Sequence, residues 1–109
     1  MAIVVTGGYG HIGSWVSEYL VKQGHDVLAV DRARRKLSYL QEVEEKITHI
    51  PIDVLDQAGL YRLFLERKDE IDGVIHIAGI IGGPIFARNP RQNINLNVMG
   101  TVNMLEISR

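Results

Sequence analysis

The sequence predicts an α/β fold built around a doubly wound parallel sheet, and three observations support this prediction. Short continuous apolar runs of strand length alternate with stretches of helical periodicity along the chain. The first apolar run leads directly into a glycine-rich stretch, TGGYGHIG at 6–13. No repeat, linker or low-complexity segment interrupts the alternation. Strands and helices in this order form parallel sheets with right-handed crossovers, so we expect the element order β-α-β-α-β-α-β-α.

The amino-terminal half predicts two strands, each followed by a helix. Residues 3–5 form a continuous apolar run, which is typical of a strand covered on both faces. Residues 11–23 predict a helix that ends at Gly24, with apolar positions at helical spacing: Ile12, Trp15, Val16, Tyr19 and Leu20. Residues 26–31 (DVLAVD) predict the second strand. A less regular helix is expected after it, with three apolar residues on one side: Leu37, Leu40 and Val43.

The carboxyl-terminal half repeats this pattern. Residues 47–53 (ITHIPID) predict the third strand, and Asp56 is expected to cap a helix that carries Leu60, Leu63 and Phe64. Residues 73–79 (GVIHIAG) predict the fourth strand. The glycine- and proline-rich residues 79–90 predict a loop of functional length. A last helix is expected over residues 92–108, with an apolar stripe of Ile94, Val98, Val102 and Leu105.

Composition excludes several functional classes. A chain of 109 residues fits one domain, and a formal charge of -1 gives no electrostatic reason to expect nucleic acid or an anionic membrane as a partner. The chain has no cysteine, which excludes disulfides, thiolate nucleophiles and zinc–thiolate sites. The sequence shows neither the pattern of a signal peptide nor an apolar run long enough to span a membrane. We therefore expect a cytoplasmic protein.

The glycine-rich stretch predicts a nucleotide site. It lies at the carboxyl end of the first strand, where doubly wound folds bind ligands, and the helix that follows offers free N–H groups and a positive dipole end to a pyrophosphate. Gly7 would permit a tight turn, Gly10 a close approach of the backbone to the phosphates, and Gly13 close packing of the helix on the sheet. The pattern G-x-G-x-x-G also fits when counted from Gly8, so the spacing leaves the register open. A turn used only for packing is the alternative, but the preceding strand and following helix favour a dinucleotide site.

Asp31 predicts the choice of cofactor. It ends the second strand 18 positions after Gly13, near the place where dinucleotide folds have the carboxylate that binds the adenosine ribose hydroxyls. A carboxylate there repels a 2′-phosphate and favours NAD over NADP. The neighbouring Arg32, Arg34 and Arg35 weaken this preference because arginine can accommodate a phosphate. A solvated strand-end aspartate beside a solvated basic loop is the alternative interpretation.

Five motifs in this order resemble the extended short-chain dehydrogenase/reductase family, the NAD-dependent epimerases and dehydratases typified by UDP-glucose 4-epimerase. They are TGGYGHIG, VD at 30–31, IDVLD at 52–56, HIAG at 76–79 and NVMGTVNMLE at 97–106. The resemblance implies a Rossmann-like sheet of strand order 3-2-1-4. We expect this chain to be truncated before the fifth strand of that sheet. In this order the fourth strand, with Val74, Ile75 and Ile77, would be an apolar unpaired edge, which predicts a homo-oligomer. The resemblance implies that the last helix also contributes to the interface.

The same resemblance implies roles for individual residues. His11 and Ile12 would present backbone N–H groups to the pyrophosphate, and Asp31 with Arg32 would line the adenosine ribose. Asp53 and Val54 would bound the adenine. Three residues after the fourth strand would face the ribose and phosphate side of the cofactor, and one helical residue would lie near the nicotinamide: Ala78, Gly79 and Ile80, and Asn97. The alternatives are that Asp53 only caps a turn and that Asn97 is a polar surface residue.

The resemblance implies general acid–base catalysis by a Tyr-x-x-x-Lys pair. This chain has no such pair, because none of its four tyrosines has a lysine four positions later: Tyr9, Tyr19, Tyr39 and Tyr61. We therefore predict no catalytic residue and no metal ligand, and we expect His76 to be a packed strand histidine. The expected function is the NAD-binding portion of an epimerase or dehydratase that acts on a sugar nucleotide or a related hydroxyl or keto substrate, inactive alone. A non-catalytic dinucleotide-binding sensor and a complete small enzyme with other chemistry are the alternatives.

Overall fold

The computed structural model describes residues 1–80 and 83–109, which form a four-stranded parallel sheet covered by helices. The strands are β1 (Ala2–Thr6), β2 (Asp26–Val30), β3 (Ile47–Ile50) and β4 (Ile71–His76). Their order is β3-β2-β1-β4, and each neighbouring pair is parallel. The predicted fold class and strand order are therefore confirmed.

The helices are α1 (His11–Lys22), α2 (Gln57–Arg67), α3 (Gly83–Arg88), α4 (Pro90–Ile94) and α5 (Gly100–Ser108). A π-helical turn, Asn95–Met99, joins α4 to α5, so the predicted last helix begins earlier than expected and is interrupted. The predicted cap at Asp56 is confirmed, because its side chain accepts a hydrogen bond of 2.9 Å from the Gly59 N–H. Within the predicted loop 79–90, α3 forms from residue 83 onward, and Ile81 and Gly82 lie outside the described residues.

The prediction of an α-helix between β2 and β3 is wrong. Two short 3₁₀ turns stand in its place, Ser38–Leu40 and Glu44–Lys46. Leu40 and Val43 are buried as an apolar side would be.

The apolar stripe that predicts α1 is only partly its buried face: Val16 and Leu20 pack against the apolar cluster beneath the helix, but the other three residues are exposed. Ile12, Trp15 and Tyr19 are 56%, 53% and 63% exposed, whereas Gly13, Ser14 and Ser17 are buried. An added Cβ on Gly13 would lie 1.8 Å from the Gly7 carbonyl oxygen. Small residues therefore face the glycine turn, because α1 packs too closely there for larger ones.

The sheet separates two apolar clusters, as expected when successive side chains of a strand point to opposite faces. On one face α2 and α5 pack against a cluster that includes Val4, Leu28 and Val30. On the other face α1 and the 3₁₀ turns cover a cluster that includes Val5 and Val27. Among the described helices, none is both long and apolar enough to cross a membrane.

Candidate functional site

A crevice of about 300 Å³ lies at the carboxyl ends of the strands, and segments that follow all four strands line it. Of the predicted residues, the lining includes Gly7, Gly10, Asp31, Arg32, Asp53, Val54, Ala78, Gly79 and Ile80. It also includes five residues that the sequence did not single out as crevice-lining: Val30, Ala33, Arg35, Ile52 and Leu96. Parallel strands end at the same edge of the sheet, which is why residues so far apart in sequence meet here.

The glycine turn forms one end of the crevice. Gly7 has φ +68°, a left-handed conformation that side chains rarely adopt, and its N–H donates to the Val30 carbonyl at 2.8 Å. The Gly10 N–H donates back to the Gly7 carbonyl at 2.9 Å, which closes the turn. An added Cβ on Gly7 would lie 3.1 Å from the Ala78 backbone. The turn therefore lies directly against the segment that follows β4.

Four predicted residues do not line the crevice: His11, Ile12, Gly13 and Asn97. The side chains of His11 and Ile12 lie along an open groove on the outer face of α1. Because α1 begins at His11, the first N–H groups of the helix have no acceptor within it, and Gly10 at the crevice immediately precedes them. Gly13 packs against Gly7 and so positions the helix rather than a ligand.

Asp31 is held in place by backbone N–H groups of the glycine turn and of its own loop. One carboxylate oxygen, Oδ2, accepts from the Tyr9 N–H at 3.1 Å, and the other accepts from the Ala33 N–H at 3.2 Å. The Asp31 carbonyl accepts a hydrogen bond of 2.8 Å from His49 Nε2. Tyr9 packs edge-on against the His49 ring, with centroids 5.3 Å apart. The strand-end carboxylate is thus attached to the glycine turn, which places both at one site.

The basic residues after β2 divide into two groups. Arg32 approaches Asp53 across the crevice, with Nη1 3.9 Å from Oδ2, and Arg35 also lines the crevice. Arg34 forms an ion pair with Glu44 and does not line the crevice. Asp53 also accepts a hydrogen bond of 2.9 Å from the Leu55 N–H. It therefore both caps a turn and lines the crevice.

Residues of the last helical segment hold two walls of the crevice. The Asn97 amide makes two bonds of 2.8 Å to the Ile80 backbone, accepting from its N–H and donating to its carbonyl. Asn103 is buried and donates to the Val54 carbonyl at 2.8 Å. An added Cβ on Gly100 would lie 2.8 Å from Val54 Cγ2, so the helix passes very close to this wall. Residues of the motif at 97–106 therefore support the crevice walls, a role that the spacing of the motif does not predict.

A line of hydrogen bonds runs from β1 through β4 to α5. Thr6 Oγ1 lies 2.6 Å from His76 Nδ1, and His76 Nε2 lies 3.2 Å from Thr101 Oγ1. The Thr101 hydroxyl donates to the Asn97 carbonyl at 2.6 Å. Burial lowers the pKa of His76 below its ordinary value of 6.5. Thr6 and Thr101 were not predicted, because only the folded chain brings them to the histidine.

A larger and mostly apolar cavity, about 860 Å³, lies between α2 and α5 beside β4. None of the predicted site residues lines it, although His76 and Thr101 border it. Within residues 1–80 and 83–109, no group of three or more His, Cys, Asp or Glu side chains is arranged to hold a metal ion. The crevice at the strand ends therefore remains the candidate site.

The strand order, the glycine turn and the crevice at the strand ends define a Rossmann-like α/β domain. The chain belongs to the GDP-mannose 4,6 dehydratase family, whose model matches residues 4–109. The resemblance to the NAD-dependent epimerases and dehydratases is thereby confirmed.

Individual relatives agree with this assignment. A UDP-N-acetyl-alpha-D-glucosaminuronate decarboxylase from Bacillus cytotoxicus is 36% identical over 104 residues, which are 94% of this chain and 31% of that protein. The UDP-glucose 4-epimerase of Bifidobacterium longum, solved with NAD⁺ and UDP, superposes with a TM-score of 0.84 at 28% identity and covers 98% of this chain and 33% of its own. The UDP-glucose 4-epimerase of Thermus thermophilus, solved with NAD, superposes with a TM-score of 0.81 at 29% identity. This match covers 98% of this chain and 33% of the epimerase chain. The chain thus spans about a third of the length of these relatives.

Proposed function

We propose that residues 1–109 are the NAD-binding part of an epimerase or dehydratase that acts on a sugar nucleotide. The observation on which the proposal rests is that the glycine turn and the Asp31 carboxylate lie at one crevice, joined by the Tyr9 N–H bond of 3.1 Å. A turn with exposed backbone suits a pyrophosphate, and a carboxylate suits the two hydroxyls of a ribose. The pyrophosphate and this ribose are adjacent parts of the adenosine half of NAD.

The size of the crevice supports a narrower statement about which half of NAD this chain binds. A volume of about 300 Å³ lies at the small end of ligand sites, and all of its lining residues come from the four strand ends and Leu96. We infer that the adenosine and pyrophosphate are bound here, with Asp53 and Val54 beside the adenine. Bound NAD supplies hydride-transfer chemistry, and the residues of this chain bind and orient it.

The choice of NAD over NADP rests on charge. A 2′-phosphate beside Asp31 would meet a like charge, although Arg32 and Arg35 lie at the same crevice. Two relatives solved with NAD support the same choice. The sugar-nucleotide substrate and the catalytic step belong, in this proposal, to a longer form, because the chain has no Tyr-x-x-x-Lys pair and spans about a third of its relatives.

Calorimetric titration of the 109-residue chain with NAD, NADP and ADP-ribose tests the proposal. We expect NAD and ADP-ribose to bind with similar affinity and NADP to bind more weakly. Asp31→Ser removes hydrogen bonds to a charged group, so it should weaken NAD and ADP-ribose by roughly tenfold or more. It should strengthen NADP, since Arg32 and Arg35 then face a phosphate without a competing carboxylate. Asp69→Ser, at an exposed aspartate outside the crevice, is the matched control and should change nothing.

Three results would contradict the proposal. A folded chain that binds none of the three nucleotides does not have the proposed site. Equal NADP affinity before and after Asp31→Ser means that Asp31 does not face the ribose. NAD-dependent oxidation of UDP-glucose above the blank would show that the chain is active alone.

A further inference from the structure

We propose that His76 is a positioning residue of the crevice. As the neutral Nε2–H tautomer it joins Thr6, which precedes the glycine turn, to Thr101 and Asn97, and so fixes residues 78–80 at the crevice wall. The inference builds on the proposed function, because residues 78–80 matter for NAD only if the crevice binds it.

The hydrogen bonds of Thr6 determine the protonation state of one ring nitrogen of His76. Thr6 Oγ1 accepts from the Ile77 N–H at 2.9 Å and from the Ala78 N–H at 3.1 Å. A hydroxyl accepts two hydrogen bonds and donates one, so both acceptor positions are used. Its remaining hydrogen points to His76 Nδ1, 2.6 Å away. Nδ1 must therefore be the unprotonated nitrogen.

The hydrogen bonds of Thr101 independently determine the protonation state of the other ring nitrogen. The Asn97 carbonyl can only accept, so the Thr101 hydroxyl donates to it across 2.6 Å. Thr101 Oγ1 then accepts from His76 Nε2 at 3.2 Å, and Nε2 must bear the hydrogen. Both ends assign the same neutral tautomer. Burial acts in the same direction, because it disfavours the charged ring and lowers the pKa of His76.

The two ends of this line hold the same short segment of the crevice wall. Thr6 binds the N–H of Ala78, which lines the crevice next to Gly7. On the other side, Thr101 binds the carbonyl of Asn97 within the π-helical turn, whose bonding departs from that of a regular α-helix. The Asn97 side chain then binds Ile80 at both its N–H and its carbonyl. Residues 78 and 80 are thus fixed from opposite sides, with His76 between the two supports.

The test compares three variants at position 76 with a control on the same strand. His76→Asn keeps an acceptor near Nδ1, His76→Gln keeps a donor near Nε2, and His76→Leu keeps neither. Val74→Ala is the control, because Val74 lies two residues earlier on the same face of β4 and packs in the apolar cluster without joining the line of hydrogen bonds.

The first measurement needs no ligand. Long-range ¹H–¹⁵N correlation of the histidine rings, with the His76 signals identified by their loss in His76→Asn, should show a protonated Nε2 and an unprotonated Nδ1. Hydrogen exchange of the Ala78 and Ile80 amides should be roughly tenfold faster in His76→Leu than in Val74→Ala at equal global stability, with the Asn and Gln variants between. An Nδ1–H tautomer, or equal exchange in the Leu variant and the control, would overturn the proposal.

The second measurement titrates ADP-ribose and NAD into the same proteins. We expect His76→Leu to lower both affinities by roughly three- to tenfold and Val74→Ala to leave them unchanged. Unchanged affinity in His76→Leu would overturn the positioning role. If the wild-type chain binds neither nucleotide, the proposed function fails, and the exchange measurement alone then decides whether His76 fixes residues 78–80.

Discussion

Three side chains hold the backbone at the crevice without lining it. Asn97 and Asn103 use their amides to bind Ile80 and Val54, and Thr6 binds the Ala78 N–H. A buried carbonyl or N–H without a partner costs about 1–3 kcal/mol, so these side chains stabilise the fold while they set the shape of the crevice.

His76 makes the stability of the fold depend on pH. Its two ring nitrogens contact hydroxyls, and burial lowers its pKa in the folded chain below 6.5. The unfolded chain therefore takes up this proton at a higher pH than the folded chain does. The stability that the neutral ring contributes is complete above the unfolded pKa and is lost as the pH falls through the lower folded pKa.

Urea unfolding of the wild type and His76→Asn between about pH 8 and pH 5 measures this effect, because asparagine does not titrate. We expect the wild type to lose more stability than the variant as the solution becomes acidic, so that the gap between them narrows. Two curves that stay parallel over the whole range would show that His76 does not titrate differently in the folded and unfolded chains.

The sequence predicts some of these residues and not others for a physical reason. Asp31 and the glycines could be found because their roles depend on short spacings within one strand–turn–helix unit. Thr6 and His76 are 70 positions apart. Gln57 donates to Asn103 Oδ1 at 3.0 Å, and these two residues are 46 positions apart. Contacts of that separation exist only after the strands have paired, and no local periodicity reports them.

At the scale of elements, α1 packs very closely on the glycine turn. Ser17 donates to the Gly8 carbonyl at 3.2 Å, and Gly13 leaves no room for a Cβ beside the Gly7 carbonyl. The obstacle at Gly13 is backbone, which cannot rotate away as a side chain would. The helix must therefore move outward if any larger residue replaces Gly13.

Gly13→Ala should consequently destabilise the chain by about 1–3 kcal/mol, the usual cost of overpacking, and should weaken nucleotide binding because the helix terminus shifts. Gly83→Ala is the control, since an added Cβ there meets nothing within 4 Å. We expect the control to be as stable as the wild type or slightly more so. Urea midpoints and NAD titrations of both variants decide the matter, and a Gly13→Ala chain with wild-type stability would refute this account of the packing.

Element types were predictable where the periodicity was clear and failed where it was not. The four strands and α2 follow from continuous apolar runs and a capping aspartate. The 3₁₀ turns between β2 and β3 depend on Leu40 and Val43 reaching the cluster under α1, which is tertiary packing. The π-helical turn depends on the contacts of Asn97 and Thr101, which no helical pattern encodes.

For the whole molecule, the notable feature is apolar surface on both sides of β4, an edge strand of the described sheet. On one side Ile12, Trp15 and Tyr19 of α1 form an open groove with Ile75 of β4. On the other side the larger apolar cavity lies between α2 and α5. Exposed apolar patches beside an unpaired strand edge favour association with another chain.

We therefore expect the 109-residue chain to form dimers or larger species through β4, and a charge on this edge to prevent it. Ile75→Lys places a lysine on β4, where natural edge strands use lysine to block pairing. Thr48→Lys is the matched control, because Thr48 is exposed on β3 at the opposite edge of the sheet. Sedimentation over a wide concentration range should show an average mass that rises with concentration for the wild type and the control and stays monomeric for Ile75→Lys. If the wild type is a monomer throughout, or if Thr48→Lys dissociates the assembly as well, β4 is not the associating edge.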